Sequence, residues 1–328
     1  GWPCAEVCVR TEVAVTRRMR SVAALAACLS LGLVATEAGA WGSRSSYTRT
    51  RYPVVLVPGV GGFDSMFGAV EYFAGITKEL RAGGAVVYAV ELPAFNSVEE
   101  RGELLLERLQ YIAAVSGAPK LNVIGHSQGG LDSRYVMAAR PDLFASLTTV
   151  GSPHKGAPLA DFLRDNTTPD GFSRTVLSFF ADALGTVVNL LSGSSLPQDS
   201  LGTLESLSTQ GMARYNQLFP AGVPTDECGQ GPPEWAGIRL YSWTGTSSFT
   251  NPLDPSDYPF GIAGLVSREP NDGMVTRCSS HFGRVLRDDY RMNHGDEINQ
   301  VFGFGALFGP SPASLFRTHV NRLKNDGL

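Results

Sequence analysis

Ser127 stands in Gly125-His126-Ser127-Gln128-Gly129-Gly130, between an apolar run, Lys120 to Ile124, and a helical-looking stretch, Leu131 to Arg140. A serine hydroxyl becomes a useful nucleophile only when a base takes its proton and the backbone presents it outward. The G-x-S-x-G spacing, with a strand before and a helix after, predicts the sharp turn that does the second of these. The flanking glycines fit, because such a turn brings neighbouring backbone close. The competing reading of the same residues is a plain strand–turn–helix.

The chain has five histidines from which to draw the base. His126 adjoins Ser127, and the turn directs its ring away, so it reads as packing or hydrogen bonding. His154, in Gly151-Ser152-Pro153-His154-Lys155-Gly156, reads as shaping a loop, and His281 and His319 sit in unremarkable contexts. His294, in Arg291-Met292-Asn293-His294-Gly295-Asp296, lies late in the chain after a strand-like Arg284 to Leu286. Partners of an elbow serine follow in the order serine, acid, histidine, which puts the acid between 127 and 294. Asp272, in the turn-forming Asn271-Asp272-Gly273, is the candidate; the tripeptide also makes sense as a turn alone. Stabilising the oxyanion takes two backbone N–H groups. Gln128, after the nucleophile, offers one, and Val60, in the glycine-rich Pro58-Gly59-Val60-Gly61, offers the other.

Oxygen-bearing side chains crowd the same stretch. Asp296, Glu297 and Gln300 follow His294 closely, and Asp254 lies upstream. Hard oxygen ligands without cysteine or paired histidine suit Ca²⁺ rather than Zn²⁺. Acidic residues in the first turn of a helix explain Asp296 and Glu297 equally well.

The elements that must position these groups read as strands alternating with helices. Tyr52 to Val57 is a continuous apolar run, the pattern of a strand buried on both faces. A helix is expected over Ala69 to Leu80 and a second strand over Val86 to Leu92. Ser97-x-x-Glu100 opens a helix through a capping box, with Leu105, Leu109 and Ile112 at helical spacing. Leu121 to Ile124 and Leu147 to Val150 are the third and fourth strands. The alternation predicts an α/β fold, a mainly parallel central sheet with helices on both faces. Residues 166–206 depart from the rhythm. Between Val176 and Leu191 only Asp182 is charged. That is more apolar surface than one face of a surface helix carries. The stretch reads as a helical lid inserted beside the nucleophile, or else as a buried core helix.

Of the 328 residues 43% are hydrophobic and 18% charged, enough for one large α/β domain. The net charge of −4, without a basic patch, gives no footing for nucleic acid. Residues 1–40 read as a targeting segment: Arg17, Arg18 and Arg20, then the apolar Val22 to Val34, then Ala38-Gly39-Ala40. The signal peptide would be 19–40, starting at Met19, and the mature domain 41–328; a short N-terminal membrane anchor is the alternative. Export leaves Cys228 and Cys278 as the cysteines of the mature chain, and one disulfide is expected. Its loop of about 51 residues would contribute about 4 kcal/mol in the chain-entropy model.

Several of these motifs together resemble the secreted triacylglycerol lipases of the Pseudomonas and Burkholderia type, which have the α/β-hydrolase fold. They are Tyr52 to Val57, Gly125 to Gly130, Gly151 to Gly156, Asn271-Asp272-Gly273, Cys278-Ser279-Ser280-His281 and Asp289 to Gln300. The likeness runs from about Tyr52 to Leu328. It implies a Ser127, Asp272, His294 triad and an oxyanion hole from the Val60 and Gln128 amides. It implies a structural Ca²⁺ held by Asp254 and Asp296 and by the carbonyls of Gln300 and Phe304. It also implies the Cys228–Cys278 bridge, the lid, and a membrane-anchored foldase as a folding partner. Three features depart from that pattern: Pro58 where the family has His before Gly, Gly295 in place of a bulky apolar residue, and a shorter Asp254–Asp272 segment. The function expected is a secreted serine ester hydrolase acting on emulsified triacylglycerol through an acyl-enzyme. The alternatives are a carboxylesterase or polyester depolymerase, and, outside enzymes, a Ca²⁺-stabilised binding protein.

Overall fold

In the computed structural model of the chain the described residues are 45–60, 65–66, 70–165, 199–300 and 305–328. The chain divides into 1–42, outside those residues, and 43–328, to which everything below refers. The expected targeting segment, Phe304 and residues 166–198 of the expected lid thus lie outside the described residues.

The element order is β1 (Val54–Val57), β2 (Ser65–Met66), β3 (Val70–Glu71), α1 (Ile76–Ala82), β4 (Val87–Ala89), α2 (Val98–Ser116), β5 (Leu121–His126), α3 (Gln128–Ala139) and β6 (Phe144–Val150). There follow α4 (Pro158–Asp165), α5 (Ser200–Leu207), α6 (Thr209–Leu218), β7 (Glu234–Trp235), β8 (Ile238–Gly245), α7 (Asp257–Gly264), β9 (Arg284–Tyr290) and α8 (Pro312–Asn325). The sheet runs β4-β1-β5-β6-β8, with β7 and β9 both paired to β8. Every pairing in it is parallel except β7 with β8.

β1 is apolar throughout, and β5, β6 and all but one residue of β8 are buried, because both faces of the central sheet are covered. Val55, Val57, Val123, Leu147 and Leu240 face one core, with Leu105 and Leu109 of α2 and Val136 of α3. Val54, Leu56, Ile124, Val150 and Trp243 face the other, with Ile76 and Leu80 of α1 and Phe316 and Val320 of α8. The period-2 alternation within β1 assigns its side chains to these two cores in turn. The α2 helix begins where the capping box placed it: Ser97 Oγ accepts from the Glu100 amide at 3.2 Å.

One element is corrected. The helix expected over 69–80 does not extend that far back: Val70–Glu71 pairs antiparallel with Ser65–Met66, and α1 starts at Ile76. Gly75 at φ 71 separates the two, a left-handed conformation that ends any helix running through it. The expected disulfide joins Cys228 to Cys278, with Cα atoms 4.6 Å apart. Among the described residues no helix is long and apolar enough to cross a membrane.

His319 of α8 is buried against β6 and β8. Its Nε2 lies 2.7 Å from Thr148 Oγ1 and its Nδ1 3.0 Å from an Arg322 nitrogen. Burial first, then the Arg322 charge, lower its pKa from 6.5 to about 3. Because the folded value lies below the unfolded one, the neutral ring contributes stability above pH 6.5. That contribution is lost as pH falls toward 3, at up to about 1.4 kcal/mol per pH unit. Replacing His319 by Gln should therefore flatten the unfolding free energy between about pH 6.5 and 3 by one proton relative to the parent. Denaturant titrations across that range would read it; parallel curves for the two proteins would show that the ring does not titrate on unfolding.

Candidate active site

Ser127 sits between the end of β5 and the start of α3 at φ 55, ψ −130. Non-glycine residues at positive φ are uncommon, and such strain collects at functional turns. The Ser127 amide donates to Val150 O at 2.8 Å, which ties the turn to the end of β6. A Cβ on Gly59 would come 2.5 Å from Ser127 Cβ and 3.0 Å from its Oγ, so the loop after β1 lies directly against the serine. A Cβ on Gly129 would meet the Val57 and Pro58 carbonyls at 2.5 Å. Both glycines are needed for close approach.

His294 Nδ1 lies 2.7 Å from Asp272 Oδ2. The backbone supports the pair, with the His294 amide donating to Asp272 O at 2.8 Å. The other carboxylate oxygen, Asp272 Oδ1, accepts from the Met274 and Val275 amides at 2.8 and 2.7 Å. Asn271 pairs with Thr276 across this turn, so the tripeptide is a turn and a carboxylate holder at once. The His294 ring lies against the ring of His126, the residue before Ser127, with centroids 4.5 Å apart.

Glu297 enters this group. Sequence spacing set it among the oxygen ligands, but a 3₁₀ turn, Asp296–Ile298, sends the two acids different ways. Glu297 Oε2 is 3.3 Å from His126 Nε2 and 4.0 Å from His294 Nδ1. Its Oε1 accepts from the Gly245 amide at 2.5 Å and from Thr244 Oγ1 at 3.1 Å. Burial, and then the charge of Asp272, push the Glu297 carboxyl well above the usual range, while burial and His294 hold His126 well below its own. Glu297 is thereby driven toward its neutral form beside Asp272.

The loop from Pro58 to Val60 is held on two sides. Arg101, from the face of α2 that also carries Leu105 and Leu109, donates to Pro58 O at 2.7 Å, to Gly59 O at 3.1 Å and to Pro93 O. Its Nε donates to Asp132 Oδ2 at 2.8 Å, and both side chains are fully buried. Burial pushes Asp132 up to about 7 against the lowering effect of Arg101. On the other side the Tyr72 hydroxyl accepts from the Gly59 amide at 2.9 Å and lies 2.8 Å from His126 Nδ1. Among the described residues the Val60 and Gln128 amides donate to no protein acceptor. Gln128 is the first residue of α3, whose leading N–H groups have no partner within the helix.

Asp254, Asp257 and Asp296 form a second buried group, each offering an oxygen within 4.8 Å of the others. Asp254 Oδ1 accepts from the Ser256 amide and hydroxyl at 2.8 and 2.7 Å, and Asp296 Oδ2 from Thr250 Oγ1 and the Asn293 amide at 2.8 and 2.9 Å. Among the described residues Asp254 Oδ2 and Asp296 Oδ1 are buried without a hydrogen-bond donor. Burial raises both carboxyls, Asp296 to about 6. Two orphaned carboxylate oxygens in one all-oxygen group fit a hard cation. Asp257, which the sequence did not single out, is spent on the Thr250 and Asn251 amides and on Asn293 Nδ2 at 2.7 Å. Gln300 O lies 3.4 Å from where a Cβ on Gly295 would stand, in the same turn.

The sequence singles out Ser127, Asp272, His294, Val60 and Gln128, and names Glu297 beside them, but not the residues that hold the Pro58–Val60 loop. A signal existed for Arg101, an arginine in register with the buried Leu105 and Leu109. Tyr72 and Asp132 carried none. His154 does shape its loop: its Nε2 meets Thr149 Oγ1 at 3.0 Å and its Nδ1 lies 3.1 Å from Arg134.

The family model described as alpha/beta hydrolase fold matches residues 52–259. A triacylglycerol lipase of Vibrio cholerae is 49% identical over 287 residues, covering 87% of this chain and 92% of that protein. One of Burkholderia plantarii is 38% identical over 356 aligned positions, covering 98% and 99%. Among solved structures, a Bacillus licheniformis lipase in mature form superposes with a TM-score of 0.57 at 17% identity, over 83% of this chain and 92% of that one.

Replacing Arg101 by Met should cost about 3–5 kcal/mol, because it strands the Asp132 carboxyl and the carbonyls that the guanidinium satisfies. Chemical denaturation with and without the substitution measures this. A loss below about 1 kcal/mol would mean that water or a rearranged loop takes over the same groups.

Proposed function

The chain belongs to the α/β-hydrolase family and, within it, to the triacylglycerol lipases, and from there we propose that it is a secreted serine lipase working through Ser127, His294 and Asp272. The observation that carries the reading is the strained Ser127 turn, set against the Gly59 loop and beside a buried Asp272–His294 pair. His294 takes the Ser127 proton as the hydroxyl oxygen attacks the acyl carbonyl. The Asp272 carboxylate accepts from Nδ1–H, fixes the tautomer and stabilises the imidazolium. The Val60 and Gln128 amides, which serve no other described acceptor, receive the oxyanion. His294 then protonates the leaving glyceride alcohol, and water, activated by the same ring, releases the fatty acid from Ser127. Export of the chain and a foldase partner belong to this proposal on sequence resemblance alone.

We further propose one Ca²⁺ held by Asp254 and Asp296, with the carbonyls of Gln300 and Phe304. The support is the pair of orphaned oxygens and the all-oxygen donor set. The ion would neutralise the two carboxylates and brace the turn that carries His294.

Replacing Ser127 by Ala should lower hydrolysis of both soluble p-nitrophenyl esters and emulsified triglyceride by several orders of magnitude, on the order of 10⁶-fold as in other serine triads. Asp272→Asn should be severe too, because it offers the imidazole the wrong partner. A folded Ser127→Ala protein with a tenth of the parent rate would end the nucleophile assignment. Comparing rates on long-chain emulsions and on soluble short-chain esters separates a lipase from an esterase.

Chelation should lower the melting temperature, and added Ca²⁺ should restore it, because the ion binds the folded chain alone. The Asp254→Asn, Asp296→Asn double variant should lose that response. Melting curves indifferent to chelator, with no calcium in elemental analysis of the parent, would refute the site.

A further inference from the structure

The oxyanion loop has an unusual shortage of ways to be held. Of its three amides, that at position 58 is absent because the residue is proline. The Val60 N–H is the one required for the acyl oxygen. That leaves the Gly59 N–H as the single donor by which this backbone can be fixed without spending the catalytic one. Arg101 cannot use it, since a guanidinium only donates, and it holds the carbonyls instead.

The acceptor is the Tyr72 hydroxyl, 2.9 Å from the Gly59 nitrogen. It is itself fixed by His126 Nδ1 at 2.8 Å. The phenol can both donate and accept, so this contact holds in either tautomer of the ring. The ring of Tyr72 packs edge-on to Phe73, with centroids 5.0 Å apart. The backbone that carries it is clamped from the turn after His294: Gln300 Nε2 donates to Tyr72 O at 2.8 Å and Asn299 Nδ2 to Ala74 O at 2.8 Å.

We infer that Tyr72 is a positioning residue for the oxyanion hole: its hydroxyl, anchored on His126, captures the Gly59 amide and thereby aims the neighbouring Val60 amide at the acyl oxygen. This rests on the serine mechanism proposed above. Arg101 fixes the loop through its carbonyls and Tyr72 through its one spare amide, so together they define the rotation of the Gly59–Val60 peptide. Tyr72 acts on the transition state through that peptide and leaves ground-state binding of the ester unchanged.

The test is Tyr72→Phe, which removes one oxygen and keeps the ring. Rates are measured on a soluble p-nitrophenyl butyrate, normalised to active sites by phosphonate titration. The expected result is a kcat lower by about 10–100-fold, the scale of a misaimed catalytic group, with KM within about twofold. The affinity of a short alkylboronic acid, whose tetrahedral serine adduct places an oxygen in the hole, should fall by the same factor as kcat/KM. His126→Gln, which removes the ring that anchors the hydroxyl, should show the same split to a smaller extent and serves if Tyr72→Phe does not fold. An unchanged kcat, or a loss of rate with boronate affinity intact, overturns the inference and leaves Tyr72 as core packing. Ser127→Ala in the same assay separates the two levels: activity there sinks the serine mechanism, whereas an inert Ser127→Ala beside a fully active Tyr72→Phe sinks the positioning role alone.

Discussion

Two backbones meet at this site with no side chain between them, and the sheet is what brings them together. β1 and β5 are parallel neighbours with Val57 opposite Gly125, so both chains leave the sheet at the same edge and turn over the same ground. One becomes the Ser127 turn and the other the Pro58–Val60 loop. A serine at φ 55 costs about 1–3 kcal/mol wherever it stands. Here that strain is held by the Val150 carbonyl behind the turn and by the glycine backbone in front of it. Local sequence makes the turn possible; the register of strands distant in sequence makes it obligatory.

Charge at the site follows from burial more than from the number of acids. Asp132, Asp272 and Glu297 are all fully buried, yet their surroundings separate their roles. Asp132 has Arg101, and the pair serves to fix carbonyls of the loop. Asp272 has two backbone amides on one oxygen and His294 on the other, so both its oxygens are committed to donors. Glu297 has fewer donors and a neighbouring Asp272, so its carboxyl is driven toward the neutral form. One imidazole thus faces two acids and is oriented by one.

The fold class and the residues of the candidate site were legible in the sequence, for physical reasons that do not extend to their supports. Strands buried on both faces leave unbroken apolar runs, as in Val54 to Val57, and the elbow leaves glycines wherever a Cβ would collide. His294 and Asp272 could be ordered because chain order constrains a triad. Val70–Glu71 falls inside the expected helix because a two-residue strand leaves no alternation to detect, and the Gly75 that starts the helix looks like an interior residue. Tyr72 was silent because its partner, His126, is 54 residues away and its other partner is a backbone amide. Asp257 was passed over because a carboxylate spent on amides resembles, in sequence, any other surface acid.

The turn from Asn293 to Gln300 gathers these threads. Successive residues face different sites: His294 meets Asp272, Asp296 joins Asp254, Glu297 meets His126, and Asn299 and Gln300 reach across to the backbone around Tyr72. That spread requires a backbone that changes direction at nearly every residue, hence a 3₁₀ turn and an Asn299 at φ 65 instead of a longer helix. A turn of this kind has little stability of its own. It is held by what its side chains touch, so the acidic pair with its orphaned oxygens sits where a bound cation would matter most. Order gained at Asp296 passes by two short covalent steps to His294 and by three or four to the residues that clamp Tyr72. Binding of a cation there and the aim of the proposed catalytic groups would for that reason be properties of one segment, and a substitution that loosens it should be felt at His294 and at the Pro58–Val60 loop together.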